Sequence, residues 1–282
     1  MTEANHVGNL STFRFRRRTP GSFLLVPCPR QGRSIRCQGQ LEAAAAVILA
    51  ACPQVAHIQE QPLMIWYAWR GKEGPVDIQL LAGPPTAPRK REKDAGTSYI
   101  VPDFLVEMVD GRKHLVEIKP SGRTARPIVQ RKLAVGRAFA AQEGWAFHLA
   151  TEKELLHGPL LENVRLLNRY RQGRLETSLL ERIVFQVPAA GIELSALLSG
   201  HGSDHAGYLR MHIFHLLAVG RISFDPRVQP LDDHTLLFPG GHVSWDPFDS
   251  LWVPDGSSMG GSGALSANSP PTGSLPKTFS FT

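Results

Sequence analysis

Asp103, Glu117 and Lys119 carry the strongest chemical signal in this 282-residue chain. They fall in V-P-D-F-L-V-E-M-V-D-G-R-K-H-L-V-E-I-K-P, which predicts two β-strands, Tyr99–Met108 and Lys113–Lys119, joined around Val109-Asp110-Gly111. Loop length decides what those strands present. A two-residue loop sets Asp103 opposite Ile118, with the carboxylates on opposite faces. A three-residue loop sets Asp103 opposite Glu117, because a one-residue slip turns every side chain over. Val109-Asp110-Gly111 suits the longer form, whose last position wants a left-handed glycine. That register predicts two carboxylates about 5 Å apart at Cβ, with Lys119 on the same face. Such charges repel unless something cationic sits between them. Mg²⁺ answers this chemistry, being hard and content with one or two carboxylates plus water and phosphate oxygens. An ion there polarises a phosphodiester and acidifies water, and Lys119 can orient that water or steady developing negative charge. The competing interpretation is a hairpin with one polar face in solvent.

The elements that must position these residues follow from pattern and punctuation. A short strand is expected at Phe23–Val26 and an alanine-rich helix at Gln40–Ala51, ended by Cys52-Pro53. Leu63–Trp69 is rich in β-formers. Arg70–Thr97, with four prolines, reads as a loop or insertion. After the hairpin, Pro127 opens a helix that Gly144 closes, and Trp145–Ala150 is a further strand. This β-β-α-β run with a helix ahead of it is an α/β arrangement. Beyond Thr151 the pattern predicts helices at Leu155–Arg171, Leu175–Gln186, Glu193–Leu198 and Tyr208–Val219, then short strands near Arg221–Phe224 and Thr235–Phe238. Helices followed by a hairpin suggest a small winged-helix-type domain. From Pro239 to Thr282, 22 of 44 residues are Gly, Ser or Pro, which predicts a disordered tail.

Composition narrows the class. With 42% hydrophobic and 20% charged residues the chain is neither disordered overall nor membrane-like. No apolar run spans a bilayer, no signal-peptide pattern follows the start, and Cys28, Cys37 and Cys52 form neither a disulfide framework nor a zinc motif. A cytoplasmic protein is expected, nucleoid-associated when bound to DNA. The net charge of +6 is concentrated. Seven arginines and no acid lie between Thr12 and Arg36, among them Arg14, Arg16, Arg17 and Arg18. R-K-R-E-K follows at 89–93, and Lys119, Arg123, Arg126, Arg131, Lys132 and Arg137 follow the second strand of the hairpin. Such clusters attract polyanions. A nucleic acid is the expected partner (double-stranded DNA, on the family resemblance below), with Arg14, Arg16, Arg17, Arg18, Arg123, Arg126, Arg131 and Lys132 on its backbone.

The run P-D-F-L-V…L-V-E-I-K-P resembles the PD-(D/E)xK nucleases, and more closely the TnsA-type endonuclease subunit of heteromeric bacterial transposases. The resemblance extends to Gly39-Gln40-Leu41-Glu42 at a helix start and to Glu60-Gln61-Pro62 before a strand. It continues through Gly144-Trp145-Ala146-Phe147, Thr151-Glu152-Lys153-Glu154-Leu155 and Asn168-Arg169-Tyr170-Arg171. It covers about Gln40–Arg171 and is weaker at Leu217–Phe224. It implies a restriction-endonuclease-like α/β core, a mixed sheet flanked by helices, followed by a small helical winged-helix-like domain. The implied boundaries are a basic arm at 1–38, a catalytic domain at 39–152, a second domain at 153–240 and a tail at 241–282. It further implies a metal-dependent endonuclease that nicks DNA at transposon ends. Glu42, Asp103 and Glu117 would bind one or two Mg²⁺ ions (Mn²⁺ substituting), Lys119 would be the catalytic lysine, and Gln61 would support the site. The implied partners are a strand-transfer transposase subunit and an AAA+ regulator ATPase. The long Arg70–Thr97 segment and the arginine-rich arm depart from the family pattern.

Two other functions compete: a stand-alone restriction or repair nuclease, and a non-catalytic DNA-binding assembly subunit. His201, His205, His212 and His215 have helical spacings that could bind metal, but no HExxH accompanies them, so structural histidines are expected. Ser195 and Ser199 lie in no GxSxG turn. Trp66-Tyr67-Ala68-Trp69 could stack bases, but within a strand it suits a core better.

Overall fold

The structure, a computed structural model, describes residues 23–71, 77–85, 95–173, 175–199 and 206–250. Arg14, Arg16, Arg17, Arg18, His201, His205 and the basic run at 89–93 lie outside the described residues.

The chain opens with a hairpin of β1 (Leu24–Cys28) and β2 (Arg33–Cys37) and enters α1 (Gln40–Ala51). α1 buries Ala44, Ala45, Ala46, Ile48 and Leu49, so small side chains let it lie close against the sheet. That sheet has the order β3-β7-β8-β9, from β3 (Val55–Glu60), β7 (Phe104–Met108), β8 (Lys113–Ile118) and β9 (Ala146–Ala150). β8 and β9 are parallel and the other pairs antiparallel, so the sheet is mixed. α3 (Pro127–Glu143), preceded by the short α2 (Ser121–Thr124), is the crossover between the parallel strands. Both ends of α3 fall where Pro127 and Gly144 predict, and Gly144 adopts φ 71°. Gly136 brings α3 close to β9, since a Cβ there would lie 2.5 Å from the Phe147 ring.

A second, antiparallel sheet has the order β5-β4-β6, from β4 (Ile65–Arg70), β5 (Asp77–Leu81) and β6 (Ala95–Ile100). Two sequence expectations change here. Arg70–Thr97 is not a plain loop: it holds β5 and the start of β6, although 72–76 and 86–94 lie outside the described residues. Tyr99–Met108 is not one strand either. Pro102 lacks an N–H and cannot continue a ladder, so the chain leaves one sheet after Ile100 and joins the other at Phe104.

Leu155–Arg171 is also not one helix. Gly158, at φ 74°, and Pro159 divide it into α4 (Glu152–Leu155) and α5 (Leu160–Asn168). Thr151 and Glu154 form a capping box at the start of α4. α6 (Thr177–Gln186), α7 (Leu194–Ser199) and α8 (Ala206–Ala218) follow, with a small antiparallel sheet of order β10-β12-β11 from Ile192–Glu193, Leu236–Pro239 and Ile222–Ser223. They enclose their own core around Ile183, Leu194, Ile213, Leu216 and Leu237. α5 serves both bodies: Leu160, Leu161 and Val164 pack into the core between α1 and the four-stranded sheet, while Leu167 joins the second.

The segment from Gly241 departs from the expected structureless tail. Trp245 and Phe248, 7% and 5% exposed, pack into the same core as α1 and the four-stranded sheet, and α9 (Pro247–Ser250) follows Trp245. Cys52 Sγ donates to Trp245 O (3.2 Å), Gln54 Nε2 to Ser244 Oγ (2.8 Å) and Arg112 to Asp246 (3.1 Å). Two large aromatic side chains outweigh the local Gly and Ser content. Residues 251–282 lie outside the described residues.

Candidate active site

β7 and β8 pair Phe104 with Val116, Leu105 with Leu115, Val106 with His114 and Glu107 with Lys113. Met108 N then donates to Arg112 O and Gly111 N to Met108 O, which closes a loop of three residues. Gly111 has φ 85°. The register, carried one step past Phe104 and Val116, sets Asp103 opposite Glu117, as the turn glycine predicts. Val116 and Ile118 pack toward α1, and Leu115 packs toward α3 and the second sheet.

Asp103 lies where two chain segments change sheets side by side. β3 passes into β4 through residues 61–64, and β6 passes into β7 through 101–103. The first carries one more residue than the second, a bulge-like excess absorbed at Gln61, which takes φ 45°. Bulges of this kind re-aim side chains beside functional sites. Gln61 N donates to Asp103 O at 2.9 Å, which fixes the two crossings to each other. Gln61 Oε1 is buried and has no hydrogen-bond donor among the described residues.

The side chains then converge. Lys119 Nζ lies 2.6 Å from Glu117 Oε1 and 3.4 Å from Asp103 Oδ2, and also donates to Ile118 O at 2.9 Å. Asp103 Oδ2 accepts the Ile118 N–H at 2.6 Å. Glu42, in the first turn of α1, accepts the Gln38 N–H at 2.7 Å. That is the helix-start role a glutamate ordinarily has, but its charge also acts on Asp103 and Lys119. Burial, then the charge of Asp103, pushes Glu42 up to about 7. Burial and the same neighbour push Glu117 up to about 8, against Lys119 and Lys132. Burial raises Asp103 as well, opposed by Lys119 and the Ile118 N–H. For Lys119 burial works downward, yet Asp103 and Glu117 outweigh it and its pKa rises. The site thus holds three acids around one central ammonium and is short of positive charge.

Among the described residues no three His, Cys, Asp or Glu side chains are gathered into a ready ligand set. The donors nonetheless suit a hard cation: three carboxylates and the unpartnered buried oxygen of Gln61 are all oxygen, with no soft ligand. Cys37 is near Glu42 and Asp103, but burial and then the charges of Glu42, Glu60 and Asp103 push its thiol up to about 12, so it is inert.

The basic residues after the hairpin divide by environment. Arg123 and Arg126 are exposed, with no side-chain partner among the described residues. Arg131 instead stacks on Trp69, its guanidinium carbon 3.7 Å from the ring centroid and its Nε buried without an acceptor. It is a packing residue more than a free surface cation. Lys132 acts on Glu117 through its charge from α3, an influence the sequence pattern did not reveal. Glu152 is another: its carboxylate accepts both the Ser121 N–H (2.9 Å) and the Ser121 hydroxyl, fixing the turn after Lys119. The sequence offers Lys132 only as a backbone-binding cation and Glu152 only within the family-like segment, because both interactions join residues far apart in the chain. His212 and His215 are structural, as expected: His212 bonds Tyr208 O and Glu176 N, and His215 bonds Tyr170 O.

Residues 52–152 match the family described as TnsA-like endonuclease N terminal. The chain carries a TnsA-like endonuclease domain. Gln61, Asp103, Glu117 and Lys119 lie inside the matched segment; Glu42 and everything after Glu152 lie outside it. At the level of that family the domain is a nuclease of DNA transposition, on a mixed sheet flanked by helices. No curated protein matches the chain. Among the described residues no helix is long and apolar enough to cross a membrane.

Proposed function

We propose that this protein is a metal-dependent endonuclease that nicks DNA at transposon ends as one subunit of a heteromeric transposase. The observation that carries the proposal is Lys119 Nζ set between the carboxylates of Asp103 and Glu117, with Glu42 in electrostatic contact. Asp103, Glu117 and Glu42 would hold one or two Mg²⁺ or Mn²⁺ ions, with Gln61 as support. When bound, the ion supplies Lewis acidity and charge neutralisation at the scissile phosphate. The protein's own groups do the rest. Lys119, held cationic by its acidic neighbours, steadies negative charge on the phosphate rather than abstracting a proton. The Asp103–Ile118 and Glu152–Ser121 bonds hold both sides of the lysine, so its ammonium is oriented in advance. Arg123 and Arg126, with Arg14, Arg16, Arg17 and Arg18 of the arm and a lesser share from Lys132 and Arg131, would hold the backbone.

The second body, which we assign to the winged-helix type, would contact a strand-transfer transposase subunit and an AAA+ regulator ATPase. The test is cleavage of a labelled duplex carrying the element's end, with Mg²⁺ or Mn²⁺, by wild type and Lys119→Ala, with and without the transposase subunit. Cleavage that needs partner, metal and Lys119 supports the proposal. Cleavage without the partner favours a free-standing nuclease. Binding without cleavage under every condition favours an assembly subunit.

A further inference from the structure

A cavity of about 310 Å³ lies between the nuclease core and the second body, away from Asp103 and Lys119. The loop after α1 and Arg30 line one side; α5, the end of α8, β11 and the segment at Ser244–Trp245 line the other. Its walls are largely apolar, with Val164, Leu167, Ile222, Phe224 and Trp245 among them. Its charge is one-sided: the lining includes Arg30 and Arg171 and no acid.

Among the described residues neither arginine has a carboxylate partner. Arg171 gives its Nε–H to Asn168 Oδ1 at 2.7 Å, and the rest of its guanidinium has no acceptor among the described residues. Arg30 uses one terminal nitrogen on the carbonyls of Cys52, Pro53 and Val55, which fixes the guanidinium in place, and its other donors have no acceptor among the described residues. Burial and the neighbouring Arg30 charge hold the pKa of Arg171 below its usual range. Arg171 is half-buried and Arg30 exposed at the rim of the cavity; holding two cations side by side is costly, and a doubly charged anion relieves that repulsion. Arginine is also the side chain best shaped for an oxyanion.

We propose that this cavity binds a small organic dianion, a phosphate monoester on an apolar body, with Arg171 and Arg30 on the phosphate and the apolar walls around the carbon skeleton. The site is separate from the nuclease reaction and does not depend on it. Because its walls come from both bodies, a bound ligand fastens the nuclease core to the second body.

Phenyl phosphate is a suitable probe and inorganic phosphate its control, both in EDTA so that no metal bridges them elsewhere. Trp245 lines the cavity, so tryptophan fluorescence and the thermal midpoint both read binding. The expected result is a saturable fluorescence change and a raised midpoint with phenyl phosphate, and a weaker effect with inorganic phosphate. Arg171→Gln should weaken the apparent affinity roughly tenfold or more, and Arg171→Lys, which keeps a cation, should bind between the two. No saturable response up to about 10 mM, an affinity below any useful range, overturns the site. So does an equal response in wild type and Arg171→Gln, or in Arg171→Gln and Arg171→Lys.

Discussion

Asp103 Oδ2 accepts the backbone N–H of Ile118 at 2.6 Å, with Asp103 one residue and Ile118 two residues beyond Phe104 and Val116, the last pair of β7 and β8. The carboxylate therefore substitutes for the strand that ends there, completing the ladder with a side chain where Pro102 has turned the backbone away. Asp103 is at once part of the sheet and part of the site.

That double role separates two substitutions. Asp103→Asn keeps an acceptor for Ile118 and removes a buried charge whose protonation burial already favours. It should fold at least as well as wild type without metal, yet lose roughly 10²–10³ in cleavage rate. Thermal melting beside a single-turnover cleavage assay measures both. A midpoint several degrees lower would mean that the charge itself supports the fold.

Lys119→Ala strips the one cation that bonds both Asp103 and Glu117 among the described residues. Leaving buried acids without their partner costs about 3–5 kcal/mol, so the metal-free variant should melt well below wild type. Mg²⁺ should recover more of that loss in the variant than it adds to wild type. Equal Mg²⁺ effects on the two midpoints would argue against a metal among these carboxylates.

His114 gives a pH signature outside the site. Its Nδ1 meets His148 Nε2 at 2.8 Å, and Phe248 stacks on its ring with centroids 4.0 Å apart. Burial and then His148 lower its pKa to about 4; Arg112 adds to the fall, and Asp246 and Asp110 oppose it. The unfolded chain therefore takes up a proton near pH 6.5 that the folded chain refuses until about 4. This contribution is present in full above pH 6.5 and is lost as pH falls toward 4, about 3 kcal/mol across the window. Urea midpoints of wild type and His114→Gln from pH 4 to 7 test it. The variant should show a flatter slope.

The two classes of arginine after the hairpin should behave differently. Arg123→Ala should leave the melting temperature unchanged and reduce the salt dependence of DNA binding by about one counterion. Arg131→Ala removes the guanidinium packed on Trp69 and should destabilise the fold by about 1–2 kcal/mol. Equal effects of both changes on the salt slope would return Arg131 to the DNA surface.

The legible parts of this chain were those fixed by short-range rules. Gly111 set the hairpin register and so the Asp103–Glu117 alignment, and Pro127 and Gly144 set the ends of α3. The change of sheets was not legible, because it depends on how 61–64 lies against 101–103, some forty residues away. Pro62 and Pro102 marked both places, but a proline says only that a ladder breaks and not where the chain resumes. Glu42 had no local signal beyond its helix start, and only the family resemblance singled it out. Trp245 and Phe248 were hidden by averaging, since the bulk composition of a segment says little about two aromatic residues within it.

Those two aromatic residues also impose an order of events on synthesis. β9, the last strand of the nuclease sheet, ends at Ala150, but the core beneath it is completed only by Trp245 and Phe248. At ordinary elongation rates that interval lasts roughly 5–20 s, during which a domain that would otherwise fold first on the ribosome stays open on one side. A nascent chain stalled short of Trp245 therefore carries Glu42, Asp103, Glu117 and Lys119 in an unfinished core, so that the proposed DNA-cutting centre matures late in its own translation.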